Sequence, residues 1–215
     1  MASFEKYYPR LKKWEGGYAV LAGDAGGCTN HGIAFNFNKH LIKDYNQDGK
    51  VDCEDVRLMP LEDAKRITKT QYWDKFLADR IRTQEIAEML VDWGYNAGIG
   101  TATRELQKIL GLPQDGIFTE KTLKAVNSAN QKKLYEDLFR AREAFYKRLG
   151  QSMPQFLQGW LNRLYDFPDK ISFRAKIGIL AIVLLLFLAV MLYLYRKEII
   201  IFYRQSLEKL KNAGS

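Results

Sequence analysis

WEGGYAVLAGDAGGCTNHGI, residues 14–33, sets a glutamate at the end of a helical pattern and follows it with loop chemistry. Upstream, Phe4, Tyr7, Tyr8, Leu11 and Trp14 or Tyr18 recur at steps of three and four residues, which predicts a helix over 4–18 ended by the pair Gly16-Gly17. Gly23 to Gly32 is rich in Gly, Asp, Thr and Asn, the composition of a loop or short hairpin. Glu15 stands at the helix end, Asp24 nine positions later and Thr29 five beyond that. A carboxylic acid that gives up a proton, with a carboxylate and a hydroxyl that hold water, is a workable acid–base set if the loop folds back over the helix end. Gly16, Gly17, Gly23, Gly26, Gly27 and Gly32 let the backbone make that return. On composition alone, a helix-end glutamate is more often a solvated surface charge.

Outward from this stretch the soluble part reads as mainly α. Helical patterns run over Ala34–Lys43, Leu61–Leu77 after Pro60, Thr83–Tyr95, Ala102–Leu110, Glu120–Asn130 and Lys132–Leu149. No segment of four to eight residues alternates convincingly between apolar and polar, so no long strand is predicted. Residues 151–172, with Pro154, Pro168 and Gly159-Trp160, read as a closing helix followed by a linker.

Glu15-Gly16-Gly17-Tyr18 followed by Asp24-Ala25-Gly26-Gly27-Cys28-Thr29-Asn30-His31-Gly32-Ile33 resembles the signature of glycoside hydrolase family 108, muramidases of phages and bacterial secretion systems. Cys28 and His31 depart from the residues more common at those places. Asp92-Trp93-Gly94-Tyr95-Asn96-Ala97-Gly98 resembles the second family signature, and Leu106–Leu110 with Asp115-Gly116 and Thr119–Thr122 resembles the peptidoglycan-binding helical motif fused to these enzymes. The likeness spans about residues 4–165. It implies a lysozyme-like helical domain with a small loop or hairpin region. Glu15 is then the catalytic acid, with Asp24 and Thr29 as partners. Tyr18, His31, Asn96 and Gly98 are the expected substrate contacts, although Asn96 and Gly98 read equally well as a helix C-cap. The expected organisation is a catalytic region over 1–95, a peptidoglycan-binding-like region over 96–165 that completes the domain, and a linker over 166–176.

The acidic stretch Asp44-Tyr45-Asn46-Gln47-Asp48-Gly49-Lys50-Val51-Asp52-Cys53-Glu54-Asp55 has calcium-loop spacing. Oxygen ligands fall at positions 1, 3 and 5 (Asp44, Asn46, Asp48), a glycine at 6, the Lys50 carbonyl at 7, Asp52 at 9 and Asp55 at 12. Aspartate in place of glutamate at position 12 shortens the reach to an ion. The expected cofactor is a structural Ca2+, with none needed for catalysis. Cys28 and Cys53 sit in neither a CxxC nor a zinc spacing, and two unpaired thiols are favoured over a disulfide.

Residues 177–195, IGILAIVLLLFLAVMLYLY, carry no charge. At about 1.5 Å per residue they are long enough to cross a bilayer core of about 30 Å, so one C-terminal transmembrane helix is expected, followed by a basic tail over 196–215. Residues 173–215 hold seven Lys and Arg against two Asp and Glu, which leaves only +3 of the net +8 to the rest of the chain. The basicity thus sits where it would meet anionic lipid, and nucleic acid is not an expected partner. Arg163, Lys170, Arg174 and Lys176 on one flank balance Arg196, Lys197, Arg204, Lys209 and Lys211 on the other, so charge does not fix the orientation. The N-terminus lacks the apolar core of a secretory signal. The resulting expectation is an inner-membrane, single-pass hydrolase. It cuts the β-1,4 bond between N-acetylmuramic acid and N-acetylglucosamine in the periplasm, for phage-type lysis or for wall remodelling with secretion or lysis machinery. A non-catalytic peptidoglycan-binding anchor or assembly factor is the alternative. A holin-like pore former is disfavoured, because one span gives no channel.

Overall fold

The computed structural model describes residues 1–20, 26–168 and Tyr195. Asp24, nearly all of the apolar run 177–195 and the tail 196–215 lie outside them. Among the described residues no helix is long and apolar enough to cross a membrane. Residues 1–171 form one unit, so the regions expected over 1–95 and 96–165 fold together.

The chain opens with α1 (Phe4–Trp14), which buries Phe4, Tyr7 and Leu11 on one face. It ends four residues earlier than the periodicity suggests. Glu15 is its C-cap, in extended backbone, its amide still donating to the Leu11 carbonyl. Three short antiparallel strands follow: β1 (Ala19–Val20), β2 (Cys28–Asn30) and β3 (Ile33–Ala34), in the order β1-β2-β3. The register pairs Ala19 with Thr29 and Asn30 with Ile33. His31 and Gly32, at φ 50° and 76°, make the two-residue turn between β2 and β3. Such turns need positive φ at both central positions, which suits the twist of a hairpin.

The helix predicted over 34–43 is only α2 (Phe35–Asn38) with one 3-10 turn after it. Inside the stretch read as a loop, α3 (Cys53–Leu58) begins at a capping box in which Asp52 and Asp55 serve each other's backbone. The helix predicted over 61–77 is α4 (Leu61–Thr68), a π-turn over Lys69–Trp73 and a 3-10 turn ending at Leu77, whose φ of 47° stops the winding. Then come α5 (Gln84–Ala97), α6 (Ile99–Ile109), α7 (Glu120–Ser128), α8 (Gln131–Leu149) and α9 (Pro154–Tyr165).

α5 is the axis of the domain. Every residue from Ile86 to Gly94 is buried, as a helix enclosed on all sides requires. One hydrophobic core surrounds it, with Leu11 of α1, Leu106 of α6, Leu138 of α8 and Leu164 of α9. A second, smaller core joins the sheet to α3 and α4 through Cys28, Ile33, Val56, Met59, Ala64 and Ile67. Cys28 and Cys53 form a disulfide across this second core, with Cα atoms 5.7 Å apart. That corrects the expectation of free thiols. The spacing of 25 residues carries no signal, because α3, which brings Cys53 back to β2, lies in a stretch with the composition of a loop.

Candidate active site

Glu15 lies on the stretch of chain that leaves α1 and turns into the sheet. Two cavities flank it. One of about 190 Å3 is lined by Tyr8, Leu11, Lys12, Glu15, His31 and Leu61. The other, of about 200 Å3, is lined by Glu15, Ala19, Gly27, Thr29 and Gly32. Gly16 and Gly17 border both. The acid and the hydroxyl predicted from spacing therefore share a cavity, and His31 shares the opposite one with the same acid. Tyr18 is exposed and lines neither.

The approach at the hairpin turn is close. A side chain at Gly32 would put its Cβ 2.5 Å from Glu15 Oε2 and against the Tyr95 hydroxyl. Only a residue without a side chain lets the turn close over the acid. The Tyr95 hydroxyl donates to the Gly32 carbonyl at 2.5 Å, fixing the turn to α5. Burial first, and then the neighbouring Glu15, push the Tyr95 phenol well above its ordinary range, so it stays a donor. Tyr72 packs against Tyr95 with ring centroids 4.5 Å apart.

Arg163 of α9 donates to Glu15 Oε1 at 2.8 Å. On its other edge it grips Asp92 of α5, with Nη2 at 2.8 Å from Oδ1 and Nε within 3.2 Å of both carboxylate oxygens. Asp92 also accepts from Arg142 Nη2 at 2.6 Å, and both of those side chains are fully buried. Arg142 Nε donates to the Tyr146 hydroxyl at 2.9 Å, and Asn96 donates to the same hydroxyl at 2.8 Å. The amide nitrogen of Asn96, expected on a sugar, is thus committed to this interior network. Gly98, at φ 89°, terminates α5 and opens α6. By sequence Arg163 falls among the charges flanking the apolar run; in the structure it is a buried partner of the site. Its link to Glu15 spans 148 positions and has no local signature. Asp92 and Tyr95 were within reach, because they belong to the second signature.

Burial raises the Glu15 carboxyl above its ordinary range, while the charge and hydrogen bond of Arg163 pull it down and the negative Asp92 pushes it up again. Asp92 behaves oppositely. Burial alone would raise it, but Arg142 and Arg163 hold it below the usual carboxylate range. Asp92 is thereby kept ionised between its two arginines, while the Glu15 carboxyl, beside the cavities, is the one poised to hold a proton.

The 44–55 loop folds on its own hydrogen bonds. Asp44 accepts from the amides of Asp48 and Gly49, and Asp48 from that of Lys50. Asn46 donates to Asp48, and Asp52 caps Glu54. The buried Asp55 accepts from the amides of Tyr45, Asn46 and Asp52. The first half of the loop fits a calcium-type turn, with Gln47 and Gly49 at φ 61° and 84°. The last position does not, because Asp55 is fully buried and turned into the domain, unlike the half-buried Asp44 and the exposed Asp48. Among the described residues no three acidic, histidine or cysteine side chains converge as a metal site.

A part-buried acid beside a small antiparallel sheet and a helical core is an arrangement that glycoside hydrolysis by a general acid can use. Residues 8–98 match the model of glycosyl hydrolase 108, and residues 101–165 match that of a predicted peptidoglycan domain. In structure the chain is similar to SagA of Brucella abortus, at 26% identity, with a TM-score of 0.59, covering 79% of this chain and 97% of SagA. No curated protein matches the chain.

Proposed function

We propose that the chain cleaves the β-1,4 bond between N-acetylmuramic acid and N-acetylglucosamine, with Glu15 as the general acid. The observation that carries this reading is the Glu15 carboxyl itself. It is raised by burial, opens onto cavities on both sides, and is held at one oxygen only. Because Oε1 accepts from Arg163, the proton belongs on Oε2, beside Gly32. From there it passes to the glycosidic oxygen as the bond breaks. Thr29, in the second cavity, positions water with Asp24, which implies inversion at the anomeric carbon. The test is muropeptide release from Gram-negative sacculi by residues 1–171, analysed by mass and in labelled water. Wild type should release products, and Glu15→Gln should lower the rate by about 10²–10⁴-fold while remaining folded. Equal release by both proteins would remove Glu15 from the mechanism.

The site of action belongs to the same proposal: inner membrane, anchored through 177–195, with the catalytic unit in the periplasm and serving wall remodelling for secretion or phage-type lysis. The Cys28–Cys53 disulfide supports an oxidising compartment. Calcium at the 44–55 loop is proposed on spacing and on the fit of its first half. Asp44, Asn46, Asp48, the Lys50 carbonyl and Asp52 would hold the ion. Millimolar Ca2+ should raise the melting temperature of wild type and not of Asp48→Ala; an unchanged wild type ends that reading.

A further inference from the structure

The region matching a predicted peptidoglycan domain, residues 101–165, would ordinarily be assigned to holding the wall. Its last helix does something else as well. Glu15 follows α1 in extended backbone, and the two glycines after it have no heavy atom within 4 Å of where a Cβ would stand. Packing therefore does little to fix the backbone that follows the acid. The Glu15 side chain is fixed instead from α9, by the single guanidinium N–H at Oε1.

We propose that Arg163 is a positioning residue for Glu15, so that region 101–165 completes the catalytic centre in addition to any role in binding the wall. This rests on Glu15 being the acid. Arg163 suits the task because its own geometry is over-determined. Three contacts lock its outer edge on Asp92, and Asp92 is locked in turn by the fully buried Arg142. The fork of an arginine spans two carboxylates at once, which a lysine ammonium cannot do in the same plane. The charges also alternate along the line: Glu15, Arg163, Asp92, Arg142. An unpaired guanidinium against Glu15 would hold it ionised and useless as an acid. Asp92 offsets that charge, so Arg163 can orient the carboxyl without stripping its proton. The acid comes from the region before residue 98, its holder from the region after 101, and Asp92 on α5 joins the two.

The experiment uses the full chain in detergent and compares wild type, Arg163→Lys and Arg10→Gln for sacculus hydrolysis across pH, with melting followed by circular dichroism. Arg10 ties α1 to Glu88 and to the Asp166 carbonyl without touching Glu15, so it reports loss of packing alone. Arg163→Lys should lose kcat by roughly a hundredfold, the order of effect of misplacing a reacting group by about 1 Å. Its KM should stay within about twofold, and the alkaline limb of its pH profile should move to higher pH as the hydrogen bond by which Arg163 lowers the Glu15 carboxyl is lost. Arg10→Gln should melt earlier yet keep its kcat within about twofold and its limb in place. Arg163→Gln is the second variant: neutral, still able to donate to Oε1, it should shift the limb in the same direction with a smaller loss of kcat. Unchanged kcat and limb in Arg163→Lys, an equal kcat loss in Arg10→Gln, or unfolding of both Arg163 variants overturns the assignment. A wild type that fails to cut, or a Glu15→Gln that cuts normally, sinks the parent reading instead.

Discussion

At Glu15, burial and the Arg163 guanidinium pull the carboxyl in opposite directions, and burial prevails. A folded-state pKa above the unfolded one means that the native chain binds the extra proton. The stability it brings is complete below the ordinary glutamate range and is lost as pH rises through the folded value. At neutral pH the acid therefore costs stability. Glu15→Gln, which keeps an oxygen for Arg163 and removes the charge, should melt higher than wild type at pH 7. The gap should be about 2–4 °C, the shift that ~1 kcal/mol gives a chain of this size. It should close as the pH is lowered towards 4, where both side chains are neutral. Melting curves at several pH values, read beside the loss of hydrolysis, check this; an equal gap at every pH would mean that Glu15 carries no raised pKa. Gly32 shows how much of the same site is steric, since the approach of the turn to Oε2 leaves no room for even a methyl group.

Among the elements, β2 bears the most varied duties. Its middle residue Thr29 lines the cleft, Asn30 fastens to the carbonyls of Val56 and Arg57 at 2.9 and 3.1 Å, and Cys28 ties it to the first residue of α3. The disulfide closes a loop with a sequence separation of 25, which in the chain-entropy account restricts the unfolded state by roughly 3–4 kcal/mol. Because that restraint acts on the strand carrying Thr29, reduction should do more than lower stability. Treatment with dithiothreitol, or Cys28→Ser with Cys53→Ser, should lower the melting temperature by several degrees and reduce the hydrolytic rate measured well below melting. A reduced chain that melts earlier but cuts at the oxidised rate would confine the disulfide to stability.

Over the whole molecule, the helices were legible because α1, α6, α7 and α8 bury residues at steps of three and four, and α5 is a helix-length run buried on every side; the pair Glu15 and Thr29 was legible through a short run resembling a family signature. What could not be read was what depends on distant chain segments meeting: the grip of Arg163 on Glu15, the pairing of Cys28 with Cys53, and the turning of Asn96 towards Tyr146. Helix lengths failed where local devices intervene, as at the capping box of α3 and the π-turn over Lys69–Trp73 that ends α4. Arg163 is instructive because a charge near an apolar run has an obvious surface explanation, and only the buried Asp92 overrides it. Its removal from the flanking charges leaves three cations before residue 177 against five after 195. Anchoring itself has a sharp physical test. The segment 173–215 carries a net +5, enough for attraction to anionic lipid without any insertion, but at about 1 M salt the Debye length falls to about 3 Å and such attraction is screened. The full chain reconstituted with vesicles of zwitterionic and anionic phospholipid should stay with the lipid through washes in 1 M salt and in alkaline carbonate, whereas residues 1–171 should remain in the supernatant. Release of the full chain by salt would reduce residues 177–195 from a span to a surface contact and would leave the route of the acid to the wall to another partner.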